Sequence, residues 1–265
     1  MKFRPYVALL LALVIFGSGA VAQKSKRKRP ARKPAAAAKA APANPVRTKV
    51  AEGRYELRAQ AGAILQSWEE PWTLYRTKTG FEVEEIWKAT KQGNPNSVII
   101  DVLLVLAPGL YPTQARIGSD LSPAQLNCFM TMTELRCATE GKEATLPMAG
   151  AYNFFLPSPW LLSSVGRRAP KKPDQAVTVK LVQMTGMSES GPVLSSFEAQ
   201  VTYVGEDQVE ISGLRLAASI YEIRGPTVPG IVVWISAEGV VLMMQDSGKP
   251  EQRMELVEFK KLAVF

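Results

Sequence analysis

The side chains with the clearest catalytic potential are two groups of glutamates, Glu69 with Glu70, and Glu82 with Glu84 and Glu85. Paired carboxylates can divide the acid and base roles of glycoside hydrolysis. Glu82 and Glu84 share one face of a predicted strand, however, and two carboxylates on one strand face are typical of a solvated surface. We therefore interpret Glu82 and Glu84 as surface residues and expect no enzyme activity.

Other catalytic chemistry is excluded by what the chain lacks. Histidine is absent, which removes the commonest proton shuttle and the commonest metal ligand. The run from Gly186 to Ser190 has serine where a nucleophile elbow requires its final glycine, and no phosphate-binding loop occurs. We predict no catalytic residue, no metal site and no cofactor.

The two cysteines, Cys128 and Cys137, are nine positions apart. In an exported chain such an even pair favours a disulfide over a metal or redox site. Leu126 to Met130 and Leu135 to Thr139 read as the two strands of a hairpin, which would place the two sulfurs opposite each other. We expect a structural staple.

The amino-terminal residues 1–22 have the pattern of a secretory signal peptide. Lys2 and Arg4 precede an apolar run from Val7 to Phe16, and small residues up to Ala22 offer a cleavage site. The apolar run is too short to cross a bilayer as a helix. We predict a periplasmic or secreted protein.

Residues 23–52 are rich in Lys, Arg, Ala and Pro and predict a disordered linker. Two interpretations remain open. The segment is either a solvated spacer or an electrostatic tether to an anionic membrane or cell-envelope surface. The cationic side chains that would make the tether are Lys24, Lys26, Arg27, Lys28 and Arg29.

The net charge of +8 comes from residues 1–52. From Gly53 onward the chain carries 20 basic and 23 acidic residues. Because a nucleic-acid-binding domain usually has a basic face of its own, the sequence does not favour a specific nucleic-acid partner.

From Gly53 to residue 265 the prevailing hydrophobic period is two, which predicts β-strands. Phe81, Val83 and Trp87 alternate with Glu82 and Glu84, for example. The stretches 231–235, 240–245 and 253–261 are separated by turn-like residues and predict an antiparallel meander. About ten strands are expected in all, in a single domain spanning residues 53–265.

One helix interrupts the strands. Ser158 and Pro159 offer an N-cap and a first-turn proline, and Gly166 offers a stop, so a short helix is expected over residues 159–166. So little helix excludes alternating βαβ units. The expected fold is mainly β, a large curved antiparallel sheet or half-barrel.

The closing stretch, residues 197–262, resembles bacterial exported domains of unknown function in the LolA/LolB-like half-barrel superfamily. The resemblance lies in a W-x-x-x-x-G-V-V-L hairpin and its surroundings, with Gly213, Tyr221, Trp234, Gly239 and Leu242 at the matching positions. It implies a curved antiparallel sheet whose concave face is closed by helices. Several members of that superfamily carry acyl chains or lipoproteins, although this chain has only one convincing helix for a lid.

Two functions follow as hypotheses. The first is an exported non-catalytic binding protein that holds an apolar or lipid-like envelope ligand in the curved sheet. The residues expected to line such a site are Trp87, Trp160, Leu161, Leu162 and Trp234, and the alternative for all five is ordinary core. The second is an envelope scaffold with a filled core, which contacts partners through its basic tail and surface helix.

Overall fold

The chain folds into one broad β-sheet with a single short helix. The structure, a computed structural model, describes residues 47–265 except 62–63, 92–97, 121, 151, 155–157, 167, 174 and 227–229. The strands within these ranges are β1 (Thr48–Ala61), β2 (Ile64–Arg76), β3 (Phe81–Lys91), β4 (Val98–Leu106), β5 (Pro112–Ser119), β6 (Ser122–Met130), β7 (Glu134–Thr139), β8 (Lys142–Pro147), β9 (Tyr152–Phe154), β10 (Ala176–Ser188), β11 (Gly191–Ile211), β12 (Leu214–Arg224), β13 (Ile231–Ser236), β14 (Val241–Asp246) and β15 (Lys249–Lys261). The helix α1 spans Pro159–Gly166. The predicted mainly β fold is confirmed.

The two halves of the chain meet in the middle of the sheet. The strand order is β8-β7-β6-β5-β4-β3-β2-β1-β15-β14-β13-β12-β11-β10-β9. All pairings in it are antiparallel except that of β9 with β10. The sheet is not closed by hydrogen bonds, because β8 and β9 end it without pairing to each other. It bends far enough for β8 to lie beside β11, so the architecture is barrel-like and open.

The amino-terminal boundary of the domain lies earlier than predicted. β1 begins at Thr48, so residues 48–52, which were assigned to the disordered linker, belong to the sheet. Val50 and Ala51 are fully buried there, between β2 and β15. Two isolated apolar residues in a polar run gave too weak a periodic signal. The predicted signal peptide and the rest of the predicted linker, residues 23–46, lie outside the described residues.

The strands with strong alternation were predicted, and those without it were missed. The β6–β7 hairpin and the β13–β14–β15 meander are confirmed. β5 and β8 were not predicted. β5 buries only Ala115, and β8 is an end strand whose side chains are exposed or half-buried. Neither strand needs an apolar face, because pairing with a neighbouring strand satisfies its backbone.

The predicted helix is confirmed at residues 159–166, but it is not a surface helix. Trp160, Leu161, Leu162 and Val165 are all buried, as are the two serines between them. A helix that is buried all round is a core element. α1 packs against β9, β11, β13 and β14 inside the curved sheet. It joins the two hydrophobic clusters of the domain, since Trp160 belongs to one and Leu162 to the other.

The predicted disulfide is confirmed. Cys128 on β6 pairs directly with Cys137 on β7, at a Cα–Cα distance of 4.1 Å, and both are buried. No helix within the described ranges has the length and hydropathy needed to span a bilayer.

Candidate functional site

Two buried carboxylates lie side by side on the inner face of β2 and β3. Glu70 and Glu85 have 0% and 1% of their surface exposed. Trp72 pairs with Glu85 across the two strands, and the same register sets Glu70 opposite Trp87. Alternation along each strand therefore directs both glutamates inward with the tryptophans, while the next residues, Glu69 and Glu84, face outward.

Each carboxylate accepts hydrogen bonds from neutral donors. The indole of Trp87 donates to Oε2 of Glu85 at 2.8 Å, and the hydroxyl of Ser158 donates to its Oε1 at 2.7 Å. The indole of Trp68 donates to Oε2 of Glu70 at 3.3 Å. Glu70 Oε1 makes no hydrogen bond of ordinary geometry among the described residues.

Ser158 has a different role from the predicted N-cap. Its backbone carbonyl accepts a hydrogen bond from the amide of Leu161 at 3.1 Å, as the first residue before a helix often does. Its side chain instead donates to Glu85. The residue that starts α1 thus ties the helix to β3, an interaction over 73 positions of sequence.

Burial dominates the protonation of the pair. It raises the pKa of the Glu85 carboxyl to about 7, against the hydrogen bonds from Ser158 and Trp87, which lower it. Burial and then the charge of Glu85 raise the pKa of the Glu70 carboxyl well above its usual range. The pair therefore holds one shared proton at neutral pH.

An aromatic shell seals the pair from solvent. The rings of Trp72 and Trp160 meet edge to face at 4.8 Å, and those of Trp68 and Trp87 lie 5.5 Å apart. The phenol of Tyr55 completes the shell and donates to the carbonyl of Val241 at 2.9 Å. The indole nitrogens of Trp72 and Trp160 are also buried without a partner among the described residues.

A glycine allows this packing on β1. A Cβ at Gly53 would lie 2.6 Å from the Trp72 ring and 2.6 Å from the carbonyl oxygen of Glu258. The Trp72 indole therefore packs directly against the backbone of Gly53, where a side chain would collide with it.

A groove of about 500 Å³ opens on the opposite face of the same strands, and its lining also includes Gly53, Trp72 and Phe259 of the row that packs inward. Two cross-strand rows form its floor, and the residues of each row pair across β15, β1, β2 and β3. The rows are Lys260–Glu52–Thr73–Glu84 and Glu258–Arg54–Pro71–Ile86. Ser212, at the turn between β11 and β12, contributes to one side of the groove and donates to the carbonyl of Val257 at 3.0 Å.

The groove combines an apolar centre with charged residues that are paired to each other. Ile86, 40% exposed, is its most accessible apolar side chain. Arg54 bonds to Glu258 at 2.6 Å, and Lys260 lies 3.8 Å from Glu52. At the neighbouring edge, Arg47 bonds to Glu84 at 2.6 Å. A groove of this kind suits an amphipathic ligand better than a purely apolar one.

The residues predicted to line a ligand site are all buried. Each of the five is at most 8% exposed: Trp87, Trp160, Leu161, Leu162 and Trp234. The structure brings Trp87 and Trp160 near the carboxylate pair through Glu85 and Ser158. Trp234 lies on β13, where its indole donates to Asp207 at 3.1 Å. None of the five lines the groove, and their role in ligand binding stays a prediction. The basic residues from Lys24 to Arg29, predicted as a tether, lie outside the described residues.

The buried pair was missed although its signal was present in the sequence. Trp68, Glu70 and Trp72 alternate, and Glu85 has the same parity as Val83 and Trp87. The surface interpretation of Glu84 is confirmed, since its side chain is 44% exposed, whereas no burial was predicted for Glu70 and Glu85. Two carboxylates at apolar parity on neighbouring strands are an indication of a buried acidic pair.

Comparison with known proteins identifies the fold alone. No protein-family model matches the chain, and no curated protein matches it. A β-barrel-like protein of the domain of unknown function DUF1849, from Brucella abortus, is 11% identical, with a TM-score of 0.50 over 82% of this chain and 99% of that chain. A DUF1089 family protein from Pseudomonas aeruginosa is 14% identical, with a TM-score of 0.42 over 69% of this chain and 89% of that chain. The first likeness supports a barrel-like domain of unknown function. The LolA/LolB-like resemblance stays a prediction.

Proposed function

We propose that this protein is an exported, non-catalytic binding protein whose ligand occupies the outer groove of β15, β1, β2 and β3. The observation that carries the proposal is the groove itself, a concavity of about 500 Å³ whose floor presents the exposed side chain of Ile86 beside charged residues. Its volume falls within the range of small-ligand sites, roughly 300 to 1,000 Å³.

The ligand class is set by the lining. Apolar contact with Ile86 and Pro71 favours an aliphatic or aromatic group, and Arg54 and Lys260 lie beside acidic partners that a ligand carboxylate can replace. We therefore propose an amphipathic ligand with an apolar body and at least one charged group. A lipid-like ligand on the concave side, as the LolA/LolB-like resemblance implies, is the second outcome that an experiment must distinguish.

A non-catalytic role is supported by the position of the acidic pair. A substrate cannot reach Glu70 or Glu85 in this conformation, since both carboxyls are sealed beneath the tryptophans. General acid–base catalysis requires the catalytic group within hydrogen-bonding reach of the reacting atom.

Export is proposed on two features. The disulfide between Cys128 and Cys137 is compatible with an oxidising compartment. The predicted signal peptide at residues 1–22 would direct the chain there. Lys24 and its neighbours up to Arg29 are proposed to hold the protein near an anionic envelope surface, because positive charge is concentrated in that segment.

The test is native mass spectrometry with lipid extraction on protein purified from its host. We expect wild-type protein to retain an amphipathic adduct, and Ile86→Asp to lose it by roughly tenfold or more, which corresponds to about 1.4 kcal/mol of binding free energy. Met132→Asp is the matched control, since Met132 is exposed on the distant β6–β7 turn. An adduct that Ile86→Asp retains would contradict the groove assignment, and a retained lipid would favour the concave site.

A further inference from the structure

The acidic pair is placed where it can control the attachment of α1. Ser158 donates to Glu85 at 2.7 Å and immediately precedes the helix, while Trp160, on the first turn, packs against Trp72 of β2. These two contacts connect the beginning of α1 to the same patch of β2 and β3 that holds the two carboxyls. A change in the charge of the pair therefore acts directly on the contacts that attach the beginning of α1.

Among the described residues, no cation faces the pair to compensate a second negative charge. The titratable group that faces the pair from β1 is Tyr55, whose own pKa is raised well above its usual range by burial and then by the charges of Glu70 and Glu85. β4 contributes Val102, opposite Glu85, and Ile100, opposite Trp87. β15 contributes Leu256, opposite Tyr55. Ser158, which precedes α1, and Trp160, on its first turn, lie near the pair. The charged residues nearest in sequence, Glu69, Glu84 and Lys88, lie on the opposite face.

We propose that Glu70 and Glu85 form a proton-operated latch: the proton they share holds α1 on the inner face of the sheet, and its loss releases the helix from β3. With one proton present, a single negative charge is stabilised by Ser158 and the indoles of Trp87 and Trp68. With none, two adjacent anions are buried among neutral donors, and the nearest relief is entry of water between α1 and β3.

The latch and the proposed ligand groove use different polar groups, although Trp72 contributes to both. Release would expose Trp160 and Trp72, two large apolar rings that are buried in the closed state. The molecule would thereby gain an apolar surface only at alkaline pH, or wherever a partner stabilises the open state.

Hydrogen–deuterium exchange measures the latch directly. The amides of residues 159–166 are followed in wild-type protein from pH 5 to pH 9, with correction for the intrinsic pH dependence of exchange. The disulfide-linked β6–β7 hairpin serves as the internal reference. We expect the protection of α1 to fall about tenfold or more relative to that hairpin as the shared proton is lost. Protection of α1 that keeps a constant ratio to the hairpin overturns the proposal.

Matched variants assign the effect to the pair. Glu70→Gln/Glu85→Gln keeps the shape of both side chains without the charge, so α1 is expected to stay protected to pH 9. Glu69→Gln/Glu84→Gln alters the two adjacent outward-facing residues and is expected to behave like wild type. A pH response that survives in the inner double variant, or disappears in the outer one, contradicts the latch.

Ser158→Ala provides a test that does not alter either carboxyl. Loss of the hydroxyl removes the connection between α1 and Glu85, so faster exchange in α1 at pH 6 is expected, with a smaller further change at pH 9. Unchanged protection of α1 in this variant overturns the claimed connection, even if the inner double variant does not fold. Loss of adduct binding by Ile86→Asp tests the groove alone, and the two proposals fail separately.

Discussion

Glutamates on the two faces of β1, β2, β3 and β15 have pKa values that are shifted in opposite directions. On the outer face, Glu258 accepts a hydrogen bond from Arg54, and this bond lowers the pKa of its carboxyl. On the inner face, burial raises the pKa of Glu70 and Glu85. Since successive residues of a strand point to opposite faces, a step of one residue separates a solvated, paired carboxylate from a sealed acid. The charge state of a glutamate here is decided by strand parity.

The difference predicts opposite dependences of stability on pH. An outer carboxylate with a lowered pKa contributes stability above its unfolded pKa and loses it as the pH falls through the folded value. An inner acid with a raised pKa retains its proton in the folded state while the unfolded chain has lost it, so stability falls as the pH rises above about 4.5.

The largest expected effect is on packing at the inner face. Trp72→Ala removes a ring that contacts Tyr55, Trp160 and Phe259, and it should lower the free energy of unfolding by ~3–5 kcal/mol. Thr73→Ala, one residue along β2 on the outer face, should change it by less than ~0.5 kcal/mol. Urea unfolding of both variants checks this, and comparable losses would contradict the assignment of the two faces.

Removing the disulfide tests whether the pH effect belongs to the pair. Cys128→Ala/Cys137→Ala frees a short loop in the unfolded chain, with an expected loss of ~2.5 kcal/mol by the chain-entropy estimate. The hairpin is remote from β2 and β3 in sheet order, so the loss should be the same at pH 5 and pH 8. A loss that changes between those values would show that the two regions are coupled.

The inner acids are expected to make the free energy of unfolding depend on pH. Wild-type stability should fall between pH 5 and pH 7 by up to ~1.4 kcal/mol per pH unit for each proton that the folded state retains. Glu70→Gln/Glu85→Gln should remove this fall in the free energy of unfolding, because neither residue can ionise in either state. Denaturant titrations at several pH values measure the slope. Stability of the wild type that rises over this range would contradict the raised pKa values.

The smallest effect is expected at the outer ion pairs. Glu84→Gln weakens the interaction with Arg47, which also lies 4.0 Å from the centroid of the Tyr75 ring. Solvent screens this pair, so a loss below ~1 kcal/mol is expected, smaller still in 1 M salt. A salt-insensitive loss of several kcal/mol would mean that the outer face is far less solvated than the structure shows.

Much of the fold was predictable from local patterns. The β6–β7 hairpin with its disulfide, β4, the final meander and α1 all carry strong signals in their own residues. β5 and β8 were not predictable in this way, because they are held mainly by pairing to a neighbouring strand. Part of β1 was predicted to be linker, because Val50 and Ala51 are buried only by the pairing of β1 with β15, which lies at the other end of the chain.

The candidate sites divide in the same manner. Glu70 and Glu85 alternate in phase with the apolar residues of their strands, and a period of two places both side chains inward. The outer groove was not predictable from local sequence, because its floor joins residues from β1, β2 and β3 to Glu258 and Lys260 of β15.

By itself, the sequence determined the local alternation, the helix bounds and the pairing of the two cysteines, because each depends on residues close together in the chain. Tertiary structure alone decided that Ser158 meets Glu85 and that β1 lies against β15. Those contacts join residues 73 and about two hundred positions apart. The burial that changes a surface glutamate into a retained acid comes from such contacts, since only the assembled sheet and helix exclude water from both sides.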